Sequence, residues 1–148
     1  MRTRAWVIVL CLLAGSALCF GHKEETLEQL IARANEARPD QQADLYLEVA
    51  ERELKFAIEA NKAGQSEALR SALQQIVKYS GNAHLVAMHS DKHLKRTEIK
   101  LRGISAKLRD LKGNADVDDQ APVQAAVDQL EAFRTELLHA MFGSKSND

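Results

Sequence analysis

The chain has 148 residues with 20 basic, 21 acidic and five histidine side chains, a near-neutral total that argues against a dedicated nucleic-acid binder. Both cysteines, Cys11 and Cys19, and the only tryptophan, Trp6, fall within the first twenty-one residues. The remainder of the chain, about 127 residues, is long enough for one domain around a single core, and it has no thiol for a disulfide or a thiolate metal site.

Residues 1–21, MRTRAWVIVLCLLAGSALCFG, have the layout of a secretory signal. Arg2 and Arg4 make the start positive, Val7 to Leu13 is continuously apolar, and Gly15-Ser16-Ala17 loosens the end. The apolar core is short for a membrane span. Small residues three and one before the cut allow cleavage before His22 or before Phe20, and an uncleaved anchor is the alternative. Leu18 before Cys19 does not fit a lipid attachment signal. The expected location is therefore periplasmic or secreted, with membrane contact only through this segment before cleavage. Without Arg2 and Arg4 the balance is 18 basic against 21 acidic residues. It is unevenly spread: −6 over 24–60, +6 over 92–112 and −5 over 113–136.

Periodicity makes nearly all of the remainder helical. Residues 26–37 carry Leu27, Leu30, Ile31 and Ala34 on one face, and Pro39 closes the segment. Residues 40–63 repeat the pattern with Leu47, Ala50, Leu54, Ala57 and Ile58, and Gly64 is placed to cap them. In residues 65–112, steps of four and three pick out Leu69, Leu73, Ile76, Ser80, Ala83, Ala87, Ser90, Leu94, Thr97, Leu101, Ile104, Leu108 and Leu111. The register holds through Ser80-Gly81-Asn82, so one helix of about 70 Å is expected, with a break at Ser80-Gly81 as the alternative. Its small-residue middle suits close helix crossing. Gly113-Asn114 ends it, residues 116–121 read as an acidic loop, and Pro122 suits the first turn of a last helix reaching Phe142. Residues 143–148 read as a disordered tail. The fold expected is all-α: an elongated up-and-down bundle of about four helices with a very long third, in one domain over 22–142.

Candidate chemistry is sparse. His89 and His93 are at i and i+4, the spacing that lets two helical imidazoles share a metal, whereas His84 is about 140° away round the helix. Folding the last helix back brings His139 and Glu136 towards them. Lys92, Lys95 and Arg96 would oppose a cation there; cleavage before His22 would leave an amine and imidazole able to chelate copper together, but the acidic helix that follows gives that reading no further support. No cofactor is expected. The basic run from Lys92 to Lys112 has no aromatic residue between Tyr79 and Phe133 and is spread round the helix, so internal pairing with the acidic helices is the better reading of it. No nucleophile elbow, phosphate loop or cysteine nucleophile is present, and the pairs Glu51/Glu53 and Asp118/Asp119 read as unburied, so no enzymatic activity is expected. ADLYLEVAERELKFAIEANKAGQSEALRSALQQIV (43–77) resembles one helix-turn-helix of the tetratricopeptide kind, a local likeness that implies two antiparallel helices; it lacks the Trp-Leu-Gly start and does not repeat.

These observations favour an exported, non-enzymatic helical scaffold or protein-interaction domain of the bacterial cell envelope. The last helix carries a stripe, Leu130, Phe133, Leu137, Leu138 and Met141, wider than one helix seam, which points to a protein partner or self-association. The competing reading is a metal- or polyanion-binding periplasmic protein that uses His89, His93 and the basic run.

Overall fold

A computed structural model describes residues 25–143; the expected signal segment, His22 and residues 144–148 of the expected tail lie outside the described residues. Five helices pack together: α1 (Leu27–Glu36), α2 (Pro39–Lys62), α3 (Ser66–Ser90), α4 (Leu94–Gly113) and α5 (Val117–Phe142). There is no strand among the described residues, so the all-α expectation holds.

Local chemistry sets the first boundaries. Thr26 caps α1 in a reciprocal box: the Gln29 amide donates to Thr26 Oγ1 and the Thr26 amide donates to Gln29 Oε1. Pro39 does not merely end the first segment. It opens α2 at N1, where its missing N–H is no loss. Gln42 Nε2 on α2 then donates to the Ala34 carbonyl at the end of α1, and Leu30 and Ala34 are fully buried beneath. Gly64 takes the left-handed conformation with φ 67°, and the Gln65 and Gly64 amides bond back to the Ala60 and Asn61 carbonyls. That is the glycine stop expected for α2.

The long third segment is two helices. Gly81 does not interrupt α3, and the break falls ten residues later, where Asp91 (φ 49°) and His93 (φ 65°) both adopt the left-handed region. Two such residues in a three-residue connection reverse the chain, and neither is glycine. The expected four-helix count with one spine is therefore corrected to five helices. The apolar register nevertheless runs on across the break. Leu69, Leu73, Ile76, Ser80, Ala83 and Ala87 are buried before it, and Thr97, Leu101, Ile104, Leu108 and Leu111 after it.

The last helix also differs from expectation. Asp116 is its N-cap and Val117 its first residue, so the supposed acidic loop is its first turn and Pro122 sits inside it. Proline cannot donate to the Asp118 carbonyl one turn back. Arg70 Nη2 approaches that carbonyl at 3.4 Å from α3, giving the freed acceptor a donor. Acidic residues 118 and 119 suit the positive end of the helix.

Contacts between named residues fix the layout. Arg96 meets Asp44 at 3.1 Å and Asn61 meets the Asn114 carbonyl, so α2 and α4 run parallel. Ser66 meets Asp119 and His84 meets Glu136, so α3 and α5 also run parallel. The neighbours α2/α3 and α4/α5 are antiparallel. α2 and α5 do not touch, so the four longer helices form a square in which the chain crosses a diagonal at the Asp91–His93 turn. The α3 stretch packs on acidic α2 and the α4 stretch on the last helix. Where α3 and α5 cross, a Cβ on Gly81 would lie 3.2 Å from the tip of the Phe133 ring.

Candidate functional site

Helix α4 holds most of the basic run, and three of its cations pair with carboxylates of neighbouring helices. Arg96 pairs with Asp44 and Lys100 with Glu51 on α2, while Arg109 pairs with Glu131 on α5. Lys112 Nζ donates to Gln124 Oε1 at 2.8 Å. The reverse polarity also occurs. Arg134 of α5, with only 15% of its side chain exposed, bonds Glu98 of α4 at 2.7 Å and Glu131 at 2.6 Å. Burial works against ionised Glu131, but the Ser105 hydroxyl, Arg134 and Arg109 outweigh it and hold its carboxyl below the usual range. Burial likewise opposes the Arg134 charge, and Glu98 and Glu131 overcome it, keeping the guanidinium firmly protonated.

The histidines do not converge. α3 ends at Ser90, so His89 and His93 no longer share a helix face: His89 Nδ1 lies 2.7 Å from the Leu85 carbonyl, and His93 occupies the left-handed turn. His139 lies by Gly143 at the end of α5. Glu136 approaches His84 instead, its Oε2 3.0 Å from Nε2, although the alignment is too poor for a hydrogen bond. Among the described residues no three His, Cys, Asp or Glu side chains come together around one point. The sequence placed His84 off the seam. It is buried, with its ring stacked on Phe133 at a centroid distance of 5.1 Å. Period alone does not show this, because α5 packs on a second face of α3.

Both carboxylate pairs contain a buried member, contrary to expectation. Asp119 is 2% exposed and accepts hydrogen bonds from Ser66 Oγ at 2.6 Å and Arg70 Nε at 2.9 Å. The Ser66 hydroxyl and then Arg70 hold its carboxyl below the usual range against the opposing effect of burial. Glu53 is buried on the α2–α3 side. Desolvation pushes its carboxyl up, and Tyr79 is raised by burial and by the nearby Glu53 charge. Asp119 is fastened and Glu53 is simply desolvated. The two lie on different helix pairs.

The expected interaction stripe is divided by the packing. Leu130 and Leu137 are fully buried in the bundle, and Phe133 is half-buried against Gly81 and His84. Leu138, 38% exposed, faces outward with part of Met141, and Phe142, which lies beyond the expected stripe, is 67% exposed. An open groove beside them is lined by His93, Leu94, Lys95, Ile99, Ala140 and Met141, with Ile99 45% exposed. The free apolar surface at this end thus combines the outer edge of α5 with the start of α4, beneath a basic rim. No helix among the described residues is long and apolar enough to cross a membrane. No protein-family model matches the chain, and neither a curated protein nor a solved structure was found to be similar to it.

Proposed function

We propose that the protein is an exported, non-enzymatic helical scaffold of the bacterial cell envelope that holds a protein partner at the end of the bundle formed by the start of α4 and the end of α5. The carrying observation is the apolar surface that bundle closure leaves uncovered there: Ile99, Leu138, part of Met141 and Phe142. Export is supported by the signal-like pattern of residues 1–21. A protein partner suits the site because the apolar centre can be desolvated while Lys95 at the rim meets an acidic side chain. The uninterrupted spine over 65–112 belongs to this proposal as an alternative state of the chain.

The test is capture from the native envelope with the wild-type protein and with Leu138→Ser/Phe142→Ser. The wild type should retain a stoichiometric protein that the variant loses, with helix content and melting temperature unchanged. Equal capture by both would refute this face as the binding surface. The intact mass of the same material checks export: it should lack residues 1–21 or 1–19, and without Trp6 its fluorescence should be that of tyrosine.

A further inference from the structure

We propose that the Asp91–His93 turn is a hinge through which the α4–α5 hairpin exchanges between two copies of this chain. In the resulting intertwined dimer α3 and α4 are one continuous helix, and each hairpin packs on the other copy's α1–α3 unit.

The register carries the inference. A turn that only reverses the chain has no reason to preserve helical phase across itself. Here the step from Ser90 to Leu94 is four and from Leu94 to Thr97 is three, and the same series is buried on both sides. The sequence is therefore written for an unbroken helix through the place where this fold bends. The turn adds a second argument. Asp91 and His93 hold left-handed backbone without being glycine, so straightening the connection relieves them. Little restrains it: Asp91 and Lys92 are exposed, and among the described residues no side-chain hydrogen bond involves Asp91, Lys92 or His93.

Exchange needs no new surface. Arg96 with Asp44, Lys100 with Glu51, Arg70 with Asp119 and His84 with Glu136 all join the α1–α3 unit to the hairpin. Each forms equally well when the hairpin comes from the second copy, which is the condition that makes swapping a low-cost route to a dimer.

The experiment uses the full chain, refolded from denaturant over a range of concentrations and examined by sedimentation. Dimer should accumulate at high concentration and persist on dilution. Asp91→Ala/His93→Ala, which penalises left-handed backbone and favours helix, should raise the dimer association constant at least about tenfold, because both positions in each of the two copies are relieved on exchange. Asp91→Gly/His93→Gly should lower it. Spin labels on Glu67→Cys and Asp110→Cys, in a Cys11→Ser/Cys19→Ser background diluted with unlabelled chain, then report the path within one molecule. Both sites are at the same end of the closed bundle, within about two helix diameters of roughly 10–12 Å, whereas 43 residues of continuous helix separate them by about 65 Å. A dimer with the long intrachain distance supports the exchange. A dimer that keeps the short distance, or a protein that stays monomeric in all three hinge forms, overturns it.

Discussion

Two glycines within helices offer a controlled test of the packing. Gly103 lies in exposed mid-α4, and a Cβ built there meets nothing within 4 Å. Gly103→Ala should therefore return the helix-propensity difference alone, about 0.5–1 kcal/mol of added stability. For a domain of this size that corresponds to a rise of about 2–4 °C in melting temperature. Gly81→Ala gains the same propensity, but its new methyl group arrives 3.2 Å from the Phe133 ring. That contact requires the ring to retreat by a few tenths of an ångström. Phe133 is not free to do so at no cost, because it is stacked on the buried His84 ring. Losing part of that stacking and tightening the contact costs about 1 kcal/mol or more. Gly81→Ala should therefore be neutral to destabilising, at least about 1 kcal/mol worse than Gly103→Ala. Thermal unfolding followed by circular dichroism at 222 nm measures both variants. Adding Phe133→Leu, which removes the ring tip, should restore most of the propensity gain at 81 and leave the effect at 103 unchanged. If Gly81→Ala stabilises as much as Gly103→Ala in the wild-type background, the close crossing of α3 and α5 is wrong.

The buried charges give three more expected outcomes. Burial raises the Glu53 pKa, so its favourable contribution exists in acid and is lost as pH rises through the folded value; Glu53→Gln should raise the urea midpoint at pH 7 and make no difference in acid below the ordinary value of 4.5. Asp119 is the opposite case. Its pKa is lowered, chiefly by Ser66, so its contribution is present above the ordinary value of 3.8 and is lost as pH falls through the folded value; Ser66→Ala should move the acid-unfolding midpoint to higher pH. Arg134→Ala strands the nearly buried Glu98 carboxylate and should cost about 3 kcal/mol by urea titration, while Arg134→Ala with Glu98→Leu should recover about half of that.

Much of the helical architecture is legible in the sequence because the signals that specify it are local. The Thr26 and Gln29 box, Pro39 at N1 and Gly64 past the end of α2 each act within one turn, and the buried faces of α2 and α3 follow one period. The alternating charge blocks likewise predict that basic α4 is flanked by acidic neighbours, as Arg96 with Asp44 and Arg109 with Glu131 bear out. The misreadings share a cause in contacts distant along the chain. Pro122 reads as a helix start, yet Arg70 of α3 reaches the carbonyl that the proline leaves free, so the helix extends back to Val117. Asp119 reads as solvated, yet Ser66, 53 residues away, bonds it. Leu130 and Leu137 read as part of one broad stripe with Leu138. Only the angle at which α5 meets both α3 and α4 decides which of them is inside.

The turn at Asp91–His93 shows why a continuous pattern can still fold back. Left-handed backbone costs about 1–2 kcal/mol per residue, less for aspartate, so the turn opposes the bent form by no more than about 4 kcal/mol. A single chain that straightens there leaves α4 and α5 extended from the α1–α3 unit. It then exposes the sides of α2 and α3 that α4 and α5 otherwise cover, together with the facing sides of the hairpin. Each large aliphatic side chain moved from full burial to water costs about 1.5–3 kcal/mol, so uncovering three of them already exceeds the strain. For an isolated chain, packing decides, and local sequence preference is overridden. The balance changes only when a second copy covers the same faces. The strain then disappears with no loss of burial, and concentration sets the remaining opposing term, the entropy of bringing two chains together. A helical register that continues through a strained turn thus specifies one set of contacts compatible with two connectivities.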